Sequence, residues 1–197
     1  MRPVCYRPGM GRTFSHLVGF DDGPFPRSHR GDVPVVGAVF AGPRLHGVLT
    51  ARIRKDGANA TRVLAETVEG SRFAGHLQAV LLQGIALGGF NVVDLPLLHW
   101  RLGLPVLAVV RRPPDFQKIR EALLSRVPGG AAKWARIQRA GPAARAGRVY
   151  VQRAGISLEA ARDLLAAATV EGDLPEPLRT AHLIAGALVT GHSRGRA

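Results

Sequence analysis

Apolar and polar positions along this chain sort into segments of two periods. Leu17, Val18 and Phe20 form a short buried run that closes on Asp21 and Asp22 and is broken by Gly23 and Pro24. Residues 33–40 are rich in β-branched side chains, and residues 45–54 alternate apolar with polar. These three segments predict antiparallel strands joined by short Gly/Pro turns, among them Ala41-Gly42-Pro43. Residues 61–68 change to helical spacing through Val63, Leu64, Thr67 and Val68. Residues 79–82 are continuously apolar, the type of strand buried on both faces. A helix follows over residues 94–102, with Asp94 as N-cap, Pro96 in its first turn and Gly103 closing it. Residues 105–110 are a further apolar strand. An antiparallel meander that turns into β-α-β predicts an α/β fold, a mixed sheet flanked by helices.

The rest of the chain reads as mostly helical. Pro113-Pro114 opens a helix to about Ser125, and residues 131–140 form a second, short one. Residues 141–147 read as a loop and 148–152 as a last strand. Ser157 caps a helix with Leu158, Ala161, Leu164, Leu165 and Ala168 on one face. Pro177 starts a final helix carrying Leu178, Ala181, Ile184, Ala185 and Leu188.

Composition narrows the classes. The chain has 197 residues and a hydrophobic fraction of 46%, enough to fill the core of one domain. No apolar run reaches the ~18 residues that span a bilayer, and no apolar stretch follows Arg2, Arg7 and Arg12 to make a signal peptide. One cysteine, Cys5, and seven scattered His exclude a disulfide framework and a structural zinc site. The expected compartment is cytoplasmic, with no membrane association. Expected organisation is a basic, flexible leader at 1–15, a single domain at 16–190 and a basic tail at 191–197.

Charge adds a partner class. The net charge is +13, and of the 27 basic residues 24 are Arg. A GC-biased genome raises Arg everywhere, but it does not empty one segment of acids. From Arg111 to Arg153 there are eleven Lys/Arg against Asp115 and Glu121, and no acid follows Glu121 until Glu159. That segment predicts a phosphate-facing surface carrying Arg111, Arg112, Lys133, Arg136 and Arg139. Trp134 lies among them, either stacking on an unpaired base or buried in the core.

Two segments carry candidate chemistry. LVGFDDGPF (17–25) delivers two carboxylates to the end of a strand, and Mg²⁺ favours oxygen ligands fixed on a rigid element. The same Asp-Asp-Gly-Pro is also ordinary turn chemistry. LLQGIALGGFNVVDL (81–95) runs from a buried strand through Gly84, Gly88 and Gly89 to a helix N-terminus, where backbone approaches a ligand closely and anions are favoured. It matches neither a P-loop nor a dinucleotide fingerprint. Asn91 and Asp94 are candidates to face a site there, although Asp94 needs no function beyond capping. Lys55-Asp56-Gly57 reads as a turn or as a second carboxylate, Asp56, brought to the Asp21 end of the sheet. His182 sits at the border of the last helix's apolar face. No G-x-S-x-G, H-E-x-x-H or C-x-x-C is present, so serine hydrolase, zincin and thiol redox classes have no support.

The chain resembles an uncharacterised prokaryotic family, domain-of-unknown-function family ninety-nine, itself distantly similar to endonuclease V with a ribonuclease H-like fold. The resemblance rests on GFDDGPF (19–25), DGANAT (56–61), LLQGIALGGFNVVDL (81–95), LPVLAVVRRPPD (104–115), VYVQRAGIS (149–157) and LPEPLRTAHLIA (174–185). It implies a ribonuclease H-like mixed sheet in which segments 17–21 and 79–83 are parallel neighbours. It implies a nucleic-acid partner and a divalent cation, Mg²⁺ or Mn²⁺, with no organic cofactor. Asp21 then takes the place of the first-strand metal aspartate, with Asp22, Asp56 and Asp94 as helpers and His182 positioning water or phosphate. The chain departs from endonuclease V at Gln83 and Thr61, where that likeness leads one to expect acids. Three functions stay open: a metal-dependent nuclease, a non-catalytic nucleic-acid-binding or scaffold protein, and a small-molecule enzyme using the turn at 84–91 as an anion cradle.

Overall fold

The computed structural model describes residues 14–193. Most of the expected leader, with Cys5, and the last four residues of the expected tail lie outside the described residues. Strands β1 (His16–Asp22), β2 (Asp32–Ala41) and β3 (Arg44–Arg54) form the expected meander. Helix α1 (Ala60–Glu69) turns Leu64, Ala65 and Val68 inward, and returns the chain to β4 (Ala79–Gln83). β4 lies parallel to β1, with Phe20 opposite Leu82. The Gly-rich turn then makes a small ladder of its own, β5 (Ala86–Leu87) with β6 (Asn91–Val92). Helix α2 (Leu95–Leu102) leads to β7 (Val106–Val110), parallel to β4.

Helices α3 (Phe116–Arg126) and α4 (Gly130–Arg139) pack through Leu123, Ile137 and Val92. β8 (Ala144–Ala146) and β9 (Val149–Ala154) are antiparallel and close the sheet edge beyond β7. The expected loop at 141–147 therefore contains a strand. Its three residues, Ala-Arg-Ala, have no β-branched side chain, and only pairing with β9 makes them extended. α5 (Leu158–Ala168), capped by the Ser157 hydroxyl on the Ala160 amide at 3.1 Å, and α6 (Glu176–Thr190) complete the chain.

The result is a mixed seven-stranded sheet of order β3-β2-β1-β4-β7-β9-β8. α1 and α2 cover one face through Leu64, Leu95 and Leu98 against Phe20, Val80 and Leu82. α5 and α6 cover the other, through Leu164 and Leu178 against Leu17, Leu81 and Leu107. Among the described residues no helix is long and apolar enough to cross a membrane. The chain leaves β1 toward β2 and leaves β4 toward β7, in opposite directions. The carboxyl ends of β1 and β4 thus flank a topological switch point, where open α/β sheets leave a crevice for ligands.

Gly19 fixes how α6 meets that crevice. A Cβ there would meet the Pro177 carbonyl carbon and stand 2.6 Å from the Leu178 amide nitrogen. The first turn of α6 therefore rests on bare β1 backbone. Gly19→Ala is expected to lower the unfolding free energy by about 1–3 kcal/mol through overpacking, read from the urea midpoint. An unchanged midpoint would mean that α6 shifts freely, and that the contact does not set its position.

Candidate active site

The site is built at the carboxyl ends of β1 and β4. Strand residues alternate between faces, so Asp21 shares the α6 side with Leu17 and Gly19. One residue past the Phe20–Leu82 pair, the parallel register places Gln83 beside Asp21 on that side. From α6, just over one turn beyond its contact with Gly19, His182 reaches down. Its Nδ1 lies 2.7 Å from Asp21 Oδ2, and Asp21 is 6% exposed. This hydrogen bond raises the His182 pKa above its usual value. Arg111, just past β7, is close enough to oppose that protonation. Gln83 Oε1 is buried without a hydrogen-bond partner.

Asp22 is the second carboxyl. Burial, assisted by the Asp21 charge, pushes its pKa up to about 7. The Gly88 amide donates to it and holds it partly back. Gly88 in turn is fixed from below: its carbonyl accepts from the Asp56 amide at 2.8 Å. Asp56 has a positive φ of 51°, its Oδ1 accepts from the Phe90 amide at 2.8 Å, and its carbonyl accepts from Lys133 Nζ at 2.5 Å. A Cβ on Gly89 (φ 81°) would collide with the Asp56 carboxylate. The turn at 84–91 is thus held as a rigid arm that presents one N–H to Asp22.

The expected site residues divide accordingly. Asp21 and His182 are hydrogen-bonded, Asp22 and Arg111 are near enough to act on them electrostatically, and Arg112 is exposed next to Arg111. Asp56 does not join them, because its carboxylate is engaged in the turn. Asp94 caps α2 by accepting from the Leu97 amide and pairs with Arg139 at 2.5 Å. Among the described residues no three His, Cys, Asp or Glu side chains gather as a ready metal cluster.

The basic face of α4 is corrected. Lys133 is 3% exposed, its ammonium turned inward, with a pKa lowered chiefly by burial. Arg136 donates to the Val92 carbonyl at 3.1 Å, and Arg139 holds Asp94. Asn91 is fully buried, accepts from the Ala60 amide and donates to the Arg54 carbonyl and to Asn59. Lys133 and Asn91 are thus buried in the site's scaffold, and Arg136 and Arg139 each hold one of its partners. Trp134 packs edge-on against Phe116 at 6.5 Å. Thr61, at a position where an acid was expected, accepts from the Asp94 amide at 2.9 Å.

On the opposite face of the sheet from Asp21 and Gln83, between the ends of β4, β7 and β9 and the helices α3 and α4, lies a cavity of about 210 Å³, lined mostly by apolar groups that include Gly84, Ile85, Ala108, Val110 and Phe116, with Gln152 as its polar wall. The Gln152 amide already donates to the Gly141 carbonyl at 2.7 Å. A dry cavity of about 150 Å³ holds a benzene ring, so this one has room for a single heterocycle.

A mixed seven-stranded sheet with helices on both faces is the fold this chain shares with endonuclease V structures. Endonuclease V of Ciona intestinalis, solved with a 24mer DNA containing an inosine followed by a ribo-adenosine, superposes with a TM-score of 0.54 at 14% identity, over 85% of this chain and 82% of that one. A crystal structure of a protein of unknown function from Archaeoglobus fulgidus superposes with a TM-score of 0.84 at 34% identity, over 89% and 99% of the two chains. The UPF0215 protein of Deinococcus radiodurans is 56% identical over 182 residues, 92% of this chain and 93% of the relative. Residues 13–189 match the family described as Endonuclease dU, and the chain belongs to that family.

Both perturbed groups make folding less favourable as pH rises. Asp22 keeps its proton in the folded protein up to about pH 7, whereas its ordinary value is 3.8. The unfolded chain therefore releases a proton that the folded one retains, and stability falls between these values. His182 has a raised folded pKa, so its contribution is complete below the ordinary 6.5 and is lost as pH rises through the folded value. The thermal midpoint is expected to drop from about pH 5 to about pH 8, and Asp22→Asn should flatten the drop. A wild-type midpoint constant over this range would remove the case for a neutral Asp22.

Proposed function

We propose that this protein is a divalent-metal-dependent endonuclease that nicks DNA beside a deoxyuridine. The observation that carries the reading is the unpartnered Gln83 Oε1 beside Asp21 at the switch point. A buried acceptor without a partner costs about 1–3 kcal/mol, and a bound cation would satisfy it. Carboxylate and amide oxygens are the donors that Mg²⁺ and Mn²⁺ prefer. Asp21 and Gln83 would hold the ion, with Asp22 as a further oxygen ligand once deprotonated. Such an ion supplies an activated water and neutralises charge on the leaving oxygen.

The chain's own residues supply the rest. His182 orients the Asp21 carboxylate through Oδ2, which leaves Oδ1 for a ligand. Arg111 and Arg112 contact the phosphates flanking the scissile bond. The family description and the fold likeness to endonuclease V support nucleic acid as the partner.

The test is nicking of oligonucleotides that carry one deoxyuridine, deoxyinosine or thymidine, with Mg²⁺ or Mn²⁺. Cleavage is expected at deoxyuridine, and Asp21→Asn should abolish it together with Mn²⁺ binding by calorimetry. Equal cleavage by Asp21→Asn would reject the site.

A second reading keeps the nucleic acid and drops the reaction. It is favoured by the neutral amide at Gln83, which binds Mg²⁺ less well than a carboxylate does. Gln83→Asp separates the two. It should tighten Mn²⁺ binding, and it should lower the thermal midpoint without metal because Asp21 and Asp22 then face a third acid. His182→Ala should weaken Mn²⁺ binding by roughly 10–100-fold, as loss of a partner that orients a ligand does. If Gln83→Asp binds Mn²⁺ no better than wild type, the ion does not sit between β1 and β4.

A further inference from the structure

The segment 23–31 joins β1 to β2 at the same end of the sheet, immediately after Asp22. Its shape is fixed from inside. The Lys55 amide donates to the Gly31 carbonyl at 2.9 Å, and Lys55 Nζ donates to the carbonyls of Arg27 at 2.5 Å and His29 at 3.3 Å. The same ammonium stands 5.5 Å from the centre of the Phe25 ring, and the Lys55 side chain is only 10% exposed. A further backbone bond closes the loop on itself, from His29 N to the Pro26 carbonyl at 3.0 Å.

One cation is turned inward, and others are left outside. Arg27, Arg30, Arg52 and Arg54 are all exposed. Arg52 and Arg54, at the end of β3, reach the backbone and the carboxylate of Asp32, the acid that follows the loop, at 3.2 and 3.8 Å. A loop whose side chains merely solvate needs no internal ammonium to hold its carbonyls. A loop that meets a polyanion gains from being ordered beforehand, since ordering is otherwise a cost of binding.

Building on the nucleic-acid reading above, we propose that the loop at 23–31, held by Lys55, together with Arg52 and Arg54 forms a second phosphate-contacting rim opposite Arg111 and Arg112, so that one nucleic-acid strand crosses the Asp21 end of the sheet between them. The sheet order sets the span. β3 and β7 are four strand spacings apart, roughly 19 Å at about 4.8 Å each. One strand of a duplex rises about 3.4 Å per nucleotide, so the gap matches about five or six phosphates. Asp21 lies in its middle, on β1, with two spacings to either side.

The test is fluorescence anisotropy of labelled single-stranded and duplex oligonucleotides in EDTA, across a salt series, with the full chain. Wild type is compared with Arg27→Glu/Arg30→Glu and with Arg120→Glu/Arg126→Glu, an equal charge change on exposed residues of α3. The loop variant should bind more weakly, with a log–log salt slope shallower by about 1.8 on duplex or 1.4 on single strands, two contacts' worth. The α3 variant should keep the wild-type slope. Lys55→Met should lose part of the slope and expose Arg27 and Arg30 to faster tryptic cleavage. A loop variant with wild-type affinity and slope overturns this rim and leaves the nuclease reading standing. A wild type that binds neither oligonucleotide at low salt overturns both.

Discussion

The arrangement depends on a backbone-to-backbone contact between Gly19 and the first turn of α6. Only a residue without a side chain permits so close an approach. Because α6 is rigid, seating its start on β1 also fixes where His182 falls, above Asp21. The imidazole–carboxylate bond at 2.7 Å is a consequence of that packing. The parallel pairing of β1 with β4 does the same for Gln83. Three polar side chains from three elements are thus placed by apolar and backbone contacts, none of which involves the polar groups themselves.

The electrostatic character of the site follows from how little water reaches it. Two adjacent carboxyls cannot both carry charge cheaply in such a place. Asp21 has an imidazole beside it, and Asp22 retains its proton to near neutrality. At neutral pH the pair is therefore less negative than its sequence suggests, which suits approach by a phosphate as well as by a cation. The turn at 84–91 matters here because the Gly88 amide is what Asp22 faces once it ionises. Lys133, Asp56 and Asn91 keep that amide in position.

Much of this fold is legible in the order of residues. The meander, the two apolar strands, the capped α2 and the last two helices all come from period and punctuation, because those signals are local. The strand that ends on Asp21 and Asp22 was legible as well, since a strand that ends on acids is a local pattern. What escaped was every role decided by distant partners. Lys133, Arg136 and Arg139 share an acid-free segment that reads as solvent-facing, yet α4 packs onto the turn at 84–91, and Lys133 turns inward. A buried lysine and an exposed one look alike in sequence. Asn91 was misread for the same reason. Lys55 lies in a Lys-Asp-Gly turn whose ordinary appearance hides a link between two loops 26 residues apart.

The Asp21–His182 bond has a consequence in time. Its partners are 161 residues apart, and Lys133 meets Asp56 across 77. Contacts that close such long loops form only after most of the conformational search is complete. During synthesis the strand bearing Asp21 emerges early and waits for nearly the whole chain before its imidazole arrives. The sheet can be largely paired while the acid–imidazole pair is still apart, so the pair is absent from any nascent chain that has not yet reached His182.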